Sequence, residues 1–395
     1  MAAPTTEDIA ELIGLEGDRM IEVRRDLHRH PELGFAETRT TGVIEEHMVG
    51  LGAERLACPT PTGSAWAIEG GKPGRTVMLR ADIDALPIEE TADIEFASEH
   101  EGLMHACGHD AHVAQLLGAS SALAARADDL PGRHIIVFQP AEEALGGAAA
   151  MIEGGLLDGL GIERVVGCHV GSVFPTGMVG VRSGIAMAEV RSLRVEIEGV
   201  GGHGAAYTAG ANPLLAAALL AQRLGEVAAD LTYEGVHCAC TAGVLHAGTA
   251  GNVIPAHAVL KGTLRTFTPE QTNAALARLD VLMLDLTAET GCTFVVHFDD
   301  TAPAVRNDAE VTEIVRASAA EVVGGGVFTM PPISPSDDMS LFLEQIPGCY
   351  FFVGAARSDG TSGMHHNPGF AIDEGCLAIA ARVLVGSAIA CAQRD

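Results

Sequence analysis

Lysine is scarce in this chain of 395 residues, where Lys72 and Lys261 are the only two. Acidic residues number 52 against 24 arginines and lysines, so the formal net charge at pH 7 is −28. A surface with this charge repels phosphate groups, which argues against nucleic acid or an anionic membrane as a partner. The acidity alone identifies no substrate.

Long apolar runs are also missing, because no unbroken segment reaches the roughly 20 residues that a membrane span needs. Residues 1–8 have no basic start followed by an apolar stretch, so we expect no signal peptide. The nine cysteines are odd in number and scattered, which is typical of reduced thiols rather than of a disulfide framework. We therefore expect a soluble protein of the cytoplasm.

Aromatic residues make up only 4% of the chain, although 48% of its residues are hydrophobic and 47 are glycine. This composition predicts a core packed from small side chains and argues against disorder. The length exceeds the size at which one hydrophobic core usually stops growing. We therefore expect two domains.

The pattern of the sequence changes near residue 188. Before that point, helical periodicity alternates with short apolar strands, as in an α/β fold. From Arg191 to Glu198, apolar and charged residues alternate, which predicts a strand with one exposed face. The elements that follow have the order β-α-β-β-α-β, which predicts an α+β domain over 188–300, inserted between segments 1–187 and 301–395 of the other domain.

The stretch Met104–His112 contains a thiol, several imidazoles and a carboxylate within nine residues. It directly precedes the apolar run Val113–Ala127, which predicts a buried helix. Cys107 and His109 flank a glycine, so both could reach one metal ion from a loop at the start of this helix. The helix dipole there would favour a thiolate. The alternative is a buried cysteine with solvated histidines.

Ionisable side chains also follow several predicted buried strands. They are Asp82 and Asp84, then Glu142 and Glu143, and then His169. Because sites form at the carboxyl ends of α/β strands, these side chains predict a shared metal cleft. Adjacent side chains of an extended segment point to opposite sides, so one glutamate could bind metal while the other carries protons. Taken singly, each could be a turn aspartate, a solvated pair or a structural histidine.

These candidates supply sulfur, nitrogen and oxygen donors from separate elements, which suits two divalent ions and a bound water. One of His365 and His366 completes the set, and the carboxylate that is not a ligand would be the base.

Several segments resemble the M20 metallopeptidase family, in its branch of aminoacylases, hippurate hydrolases and auxin-conjugate hydrolases. They are Arg24–Gly34, Ala81–Pro87, Met104–His112, Gln139–Glu143, Gly201–Ala205, Gly251–Pro255 and His365–Phe370. The resemblance implies an α/β fold in which a zinc-peptidase-like catalytic domain, with a mixed sheet flanked by helices, is interrupted by an α+β satellite domain. It also implies a homodimer through that satellite domain, with a higher oligomer as the alternative.

The resemblance implies roles for individual residues. The metal ligands would be Cys107, His109, Glu143, His169 and His366, with Glu142 as the general base and Asp84 as the residue that orients the site. In the satellite domain, His203 would stabilise the oxyanion, in the partner's site or its own, and Asn252 and Arg265 would meet a substrate carboxylate. A structural ion pair is the alternative for Arg265.

These roles imply a metal-dependent amidohydrolase that cleaves N-acyl-L-amino acids with a metal-activated water. The thiolate favours zinc among divalent metals, with manganese, cobalt and nickel as alternatives. A dipeptidase or carboxypeptidase with the same dinuclear site is an alternative activity, and a non-catalytic metal-dependent binding protein is an alternative class. The family usually has a Pro-His pair where this chain has Tyr207-Thr208, so the acyl group and the amino acid stay open.

Overall fold

The computed structural model describes residues 4–206 and 210–394. The chain forms two compact units: Met1–Ala186, Arg306–Met330 and Asp337–Asp395 make up the first, and Met187–Val305 and Pro331–Ser336 make up the second. The predicted insert, 188–300, lies inside the longer segment of the second unit. Pro331–Ser336 also belongs to the second unit, which the sequence analysis did not predict.

The secondary-structure elements follow one another in chain order. Up to the insert they are α1 (Thr6–Arg29), α2 (Thr38–Gly50), β1 (Glu54–Arg55), β2 (Ser64–Glu69), β3 (Lys72–Asp82), α3 (His109–Ala125), β4 (Pro131–Gln139), α4 (Gly147–Glu153), β5 (Ile162–Pro175), β6 (Val179–Val181) and β7 (Gly184–Met187). The insert contains β8 (Glu189–Glu198), β9 (Gly202–His203), α5 (Pro213–Arg223), β10 (Thr232–Tyr233), β11 (Val236–His237), β12 (Ala239–Ala247), β13 (Val253–Ile254), β14 (His257–Thr266), α6 (Pro269–Thr290) and β15 (Thr293–Ala302). The remaining elements are β16 (Val305–Asn307), α7 (Ala309–Val323), β17 (Val327–Thr329), α8 (Met339–Gln345), β18 (Gly348–Ala356) and α9 (Gly375–Ala392).

The first unit is built on an eight-stranded sheet in the order β1-β2-β4-β3-β5-β18-β6-β17. The central strand β3 is parallel to β4 and β5, whereas β2 is antiparallel to β4. Helices α3 and α9 pack against the central strands, and α1 packs against both of these helices. The predicted mixed sheet flanked by helices is therefore confirmed.

Strand β3 has hydrophobic side chains on one face and charged ones on the other. Val77, Leu79 and Ala81 belong to the hydrophobic core of the first unit. Because successive side chains of a strand alternate between faces, Arg80 and Asp82 lie on the opposite face, and both are buried. Two charged groups thus approach the carboxyl end of the central strand, where a site is expected.

Helix α9 is long and apolar enough to cross a membrane by composition, with a mean hydropathy of 1.9 over 18 residues. However, 67% of the helix is buried, and it packs against α1, α3 and α7. A central core helix has the same composition, so the packing of the first unit accounts for it.

The second unit is built on an antiparallel sheet in the order β12-β14-β8-β15. Leu193, Val195 and Ile197 of β8 are buried, and helices α5 and α6 pack on the sheet. Arg194 and Glu196 alternate with them and form an ion pair on the other face. The predicted order of strands and helices is thus present, with short strands β9, β10, β11 and β13 added.

His134 of β4 couples the stability of the protein to pH. Its side chain is fully buried, its Nε2 donates to the carbonyl of Pro131 at 3.1 Å, and burial lowers its pKa to about 4. The unfolded chain, in which the pKa of histidine is about 6.5, binds this proton first as the pH falls. The free energy of unfolding should therefore decrease between pH 6.5 and 4, by about 3 kcal/mol for this residue.

We predict that His134→Gln, which keeps a hydrogen-bond donor, shows a correspondingly smaller decrease over this pH range in urea titrations. Parallel pH profiles of the variant and the wild type would contradict the assignment.

Candidate metal centre

Gly108 shapes the turn between the two candidate ligands that flank it. Its φ is 92°, and a Cβ at this position would lie 2.5 Å from Cγ2 of Val170. Helix α3 begins at the next residue, so the turn ends the loop with Cys107 and starts the helix with His109. Only glycine fits here without strain, which explains the sequence Cys-Gly-His.

His109 directs one ring nitrogen into a cluster of carboxylates. Its Nδ1 donates to the carbonyl of Asp84 at 2.9 Å, and its buried Nε2 has no hydrogen-bond partner among residues 4–206 and 210–394. Oxygens of Asp82, Glu143 and Glu142 lie 3.8, 3.9 and 4.0 Å from Nε2. Burial lowers the pKa of His109, but Asp82, Asp84 and Glu143 raise it overall to about 10. A divalent ion could replace the Nε2 proton.

His169 lies in β5 with its lone pair directed at the thiol. Its Nδ1 donates to the carbonyl of Val170 at 2.7 Å, and its Nε2 lies 3.5 Å from Sγ of Cys107. Burial and the neighbouring His112 ring hold the pKa of His169 well below its usual value, so the ring is neutral. Donor atoms of Cys107, His109 and His169 all lie within 4.8 Å of one another.

A second group of donors contains Cys107, Glu143 and His366, again within 4.8 Å of one another. Nε2 of His366 lies 3.3 Å from Oε1 of Glu143. The neighbouring His365 is placed differently: its Nδ1 lies 3.8 Å from Sγ of Cys107, and its Nε2 accepts from the amide of Ser172 at 3.3 Å. His366 is thus the residue of this histidine pair that stands in the second donor group.

The donor set fits two divalent ions. Cys107 is common to both groups, as a bridging ligand would be, and the buried atoms Nε2 of His109 and Oε1 of Glu143 have no hydrogen-bond partner in the described part of the chain. Burial, and then the charges of Glu143 and Glu142, hold the pKa of the Cys107 thiol well above its usual value. A cation beside the sulfur would favour the thiolate instead.

Glu142 and Glu143 lie in different environments although they are adjacent. Burial, and then the charges of Asp337 and Glu143, raise the pKa of Glu142 well above its usual value. Burial also acts to raise the pKa of Glu143, but the neighbouring imidazoles of His366 and His109 lower it overall. The pKa values of the two adjacent carboxyls are thus shifted in opposite directions, which suits one of them to carry protons and the other to bind a cation.

Asp84 fixes the backbone of both glutamates. Its Oδ1 accepts from the amide of Glu142 at 3.1 Å, and its Oδ2 accepts from the amide of Glu143 at 3.0 Å. Oδ1 also lies 3.3 Å from Nδ1 of His109. These are contacts that a residue orienting the site would make.

Asp82 and His112 form a buried pair beside the ligands. Nδ1 of His112 lies 2.5 Å from Oδ1 of Asp82, and its Nε2 accepts from the amide of Val170 at 3.0 Å. These two residues and His109 could also group around an ion. Because both nitrogens of His112 are engaged, its evident role is to fix Asp82 and the backbone of β5 at Val170.

Arg80 is the centre of a buried network that the sequence analysis missed. It donates to Gln139 at 2.8 Å, Asp82 at 2.6 Å and Asp338 at 2.9 Å, and it lies 3.3 Å from Asp337. Each of the four charged side chains is at most 2% exposed. An arginine inside an apolar strand and two adjacent aspartates in a loop were the only signals in the sequence.

The second unit contains His203 and Asn252. His203 lies in β9, is exposed, and accepts at Nδ1 from the amide of Ala205 at 3.1 Å. Asn252 is also exposed, and its carbonyl accepts from the amide of Gly204 at 2.9 Å. The predicted roles of both residues stay predictions.

Arg265 also belongs to the second unit. It donates to the carbonyl of Ser334 at 3.1 Å and to the hydroxyl of Ser336 at 3.0 Å. Burial lowers its pKa. Its predicted contact with substrate stays a prediction, and Tyr207-Thr208 lies outside the described residues.

Comparisons with known proteins give a consistent result. Residues 78–389 match the model of peptidase family M20/M25/M40. The N-acetyl-L-cysteine deacetylase of Bacillus subtilis is 38% identical over 370 residues, which cover 94% of this chain and 87% of the relative. Thermostable carboxypeptidase 2 of Saccharolobus solfataricus is 35% identical over 369 residues, covering 92% of this chain and 93% of the relative.

A solved structure from Bacillus subtilis is also similar. It is described as a dinuclear metal binding peptidase of the M20 family and superposes with a TM-score of 0.80 at 32% sequence identity. The match covers 95% of this chain and 98% of that one.

The Arg80 network predicts a large effect on stability. Arg80→Met would leave the buried carboxylates of Asp82, Asp337 and Asp338 without their counter-charge, so it should reduce the free energy of unfolding by about 3–5 kcal/mol. Arg55→Met is the matched control, since Arg55 is 57% exposed and pairs with Glu45 at the surface. That substitution should change stability by about 1 kcal/mol or less. Equal effects of the two substitutions in urea denaturation would contradict this interpretation.

Proposed function

The chain belongs to peptidase family M20/M25/M40, and we propose that it is a metal-dependent amidohydrolase that cleaves the amide bond of N-acyl-L-amino acids. One observation carries the proposal. Glu142 belongs to neither of the two donor groups that share Cys107, although it also groups with His109 and Glu143 and with Asp337 and Asp338. With the ions in the two groups that share Cys107, Glu142 is the neighbouring carboxylate left to exchange protons, which a purely binding site would not need. The N-acetyl-L-cysteine deacetylase among the relatives supports the choice of substrate class.

The residues of the first unit divide the work between binding and proton transfer. His109, His169 and Cys107 would hold one ion, and Glu143, His366 and Cys107 the other. Bound there, divalent ions would polarise the scissile carbonyl and lower the pKa of the attacking water.

Glu142 takes the proton from the attacking water and then donates it to the nitrogen of the leaving amine. Asp84 holds the amide of Glu142, which keeps this carboxyl directed at the reacting atoms. The backbone of Glu142 is therefore held by a protein contact rather than by a bound ion.

Residues of the second unit complete the proposal. His203 would donate a hydrogen bond to the developing oxyanion. Asn252 and Arg265 would bind the substrate carboxylate, for which the guanidinium offers paired donors. These three assignments rest on motif positions in the sequence.

We further propose zinc as the metal, because a thiolate stands among the ligands. Manganese, cobalt and nickel are the alternatives. A homodimer formed through the second unit and a cytoplasmic location are proposals from the sequence alone.

Glu142→Gln should lower kcat by about 10²- to 10⁴-fold, because the amide cannot take the proton from water. Bound metal should stay at the wild-type level. The measurement is release of free amino acid from N-acetyl, N-benzoyl and long-acyl amino acids after loading with each metal. Glu153→Gln, which changes an exposed glutamate of α4, is the matched control and should leave kcat unchanged.

Other outcomes of this assay identify the alternatives. Loss of metal in Glu142→Gln would mean that the roles of Glu142 and Glu143 are exchanged. Hydrolysis only of peptides with a free amino terminus would indicate a dipeptidase, and release of carboxyl-terminal residues from peptides would indicate the carboxypeptidase activity named for the Saccharolobus solfataricus relative. Absence of turnover on every substrate with every metal would favour a non-catalytic binding protein.

A further inference from the structure

The residue before the proposed base has an unusual backbone conformation. Ala141 is fully buried and has φ of 51°, in the left-handed region that side chains other than glycine rarely adopt. Such a conformation persists only where surrounding contacts impose it, and it is commonest at functional sites. The contacts that impose it on Ala141 therefore bear on the position of Glu142.

Glu37 supplies one such contact from the residue preceding α2. Its Oε1 accepts from the amide of Ala141 at 2.8 Å, and its Oε2 accepts from the hydroxyl of Thr62 at 2.6 Å. Glu37 is itself fully buried. Its carboxylate is thus fixed on one side and bound to the strained residue on the other.

Three successive amides of this turn are bound by carboxylates. Glu37 holds the amide of Ala141, and Asp84 holds those of Glu142 and Glu143. Gly34 closes the turn from another side, because a Cβ there would lie 2.9 Å from both Cα and Cβ of Ala141. The carbonyl of Ala141 accepts from the amides of Gly146 and Gly147 at 3.3 and 3.1 Å, and Glu37 holds the N–H group of the same residue.

We propose that Glu37 is a positioning residue for the hydrolytic reaction. It holds Ala141 in the left-handed conformation and thereby directs the carboxyl of Glu142 at the substrate. Without Glu37, Ala141 relaxes to an ordinary φ and the Glu142 side chain turns away from the reacting atoms. This inference rests on the proposed role of Glu142 as the base.

The first test is Glu37→Ala in the metal-loaded, full-length protein. We expect kcat to fall by roughly tenfold to a hundredfold, as a displacement of about 1 Å in a catalytic group produces. KM and bound metal should stay near wild type, since the ligand side chains are not removed. Glu37→Gln keeps an oxygen acceptor for the amide of Ala141 and should recover most of the lost kcat.

The matched control is Glu32→Ala. Glu32 also accepts from two backbone amides, those of Arg39 at 2.9 Å and Thr40 at 2.8 Å, but these belong to α2. This variant should lose stability without losing kcat per folded molecule.

The second test is a rescue. Ala141→Gly removes the steric reason for needing an external contact, because glycine adopts a positive φ readily. Added to Glu37→Ala, it should raise kcat above that of the single variant. A residue needed only for folding would not respond in this way.

The outcomes separate the two proposals. Wild-type kcat in Glu37→Ala, a loss no greater than in Glu32→Ala, or no rescue by Ala141→Gly would overturn the positioning role while Glu142→Gln stays inactive. If Glu142→Gln keeps its activity, the proposed base is wrong instead. If Glu37→Ala does not fold, Gly34→Ala displaces Ala141 with Glu37 intact, and an unchanged kcat in that variant would overturn the inference.

Discussion

The Asp84 carboxylate is the constraint on which the candidate site depends. It binds the amides of Glu142 and Glu143, while its own carbonyl binds the ring of His109. Asp84, in the loop after β3, therefore orients the proposed base Glu142 and two proposed ligands, Glu143 and His109. Asp84 follows β3, and the two glutamates follow β4. Because these strands are parallel, their carboxyl ends lie at the same edge of the sheet, which brings Asp84 close to both glutamates.

Buried negative charge is the second constraint. Asp82, Asp337 and Asp338 surround one guanidinium, that of Arg80, and Glu142 lies within 4.8 Å of two of these carboxylates. Buried charges are tolerated when they are paired or when they coordinate metal. Arg80 neutralises part of the negative charge of this carboxylate cluster. The two donor groups that share Cys107 lie beside the carboxylates that Arg80 does not pair with. The protein thus keeps a cation-binding edge next to a neutralised structural network.

The sequence predicted elements with a strong local signal. The second helix in the predicted β-α-β-β-α-β order is α6, which runs from Pro269 to Thr290 and has a capping box at its start. Strand β5 continues past His169 to Pro175, although the apolar pattern places its end at Val170. Its extension depends on pairing with β18, which no local pattern encodes.

The candidate site likewise contains residues that the sequence predicts and contacts that it does not. Donors within short motifs, such as Cys107 and His109, were visible because their residue types and spacing are chemically specific. The contact of Arg80 with Asp338 joins residues 258 positions apart, and that of Glu37 with Ala141 joins residues 104 apart. Neither contact can be read from the sequence, since each exists only once the sheet has formed.

The central claim is that this edge of the sheet binds two divalent ions through a shared thiolate. Anomalous diffraction at the metal edge from crystals of the zinc-loaded protein tests it directly. The account predicts two peaks per chain, with Cys107 beside both, His109 and His169 at one, and Glu143 and His366 at the other. A single peak, or ions held by Glu142, Asp337 and Asp338 instead, would contradict it.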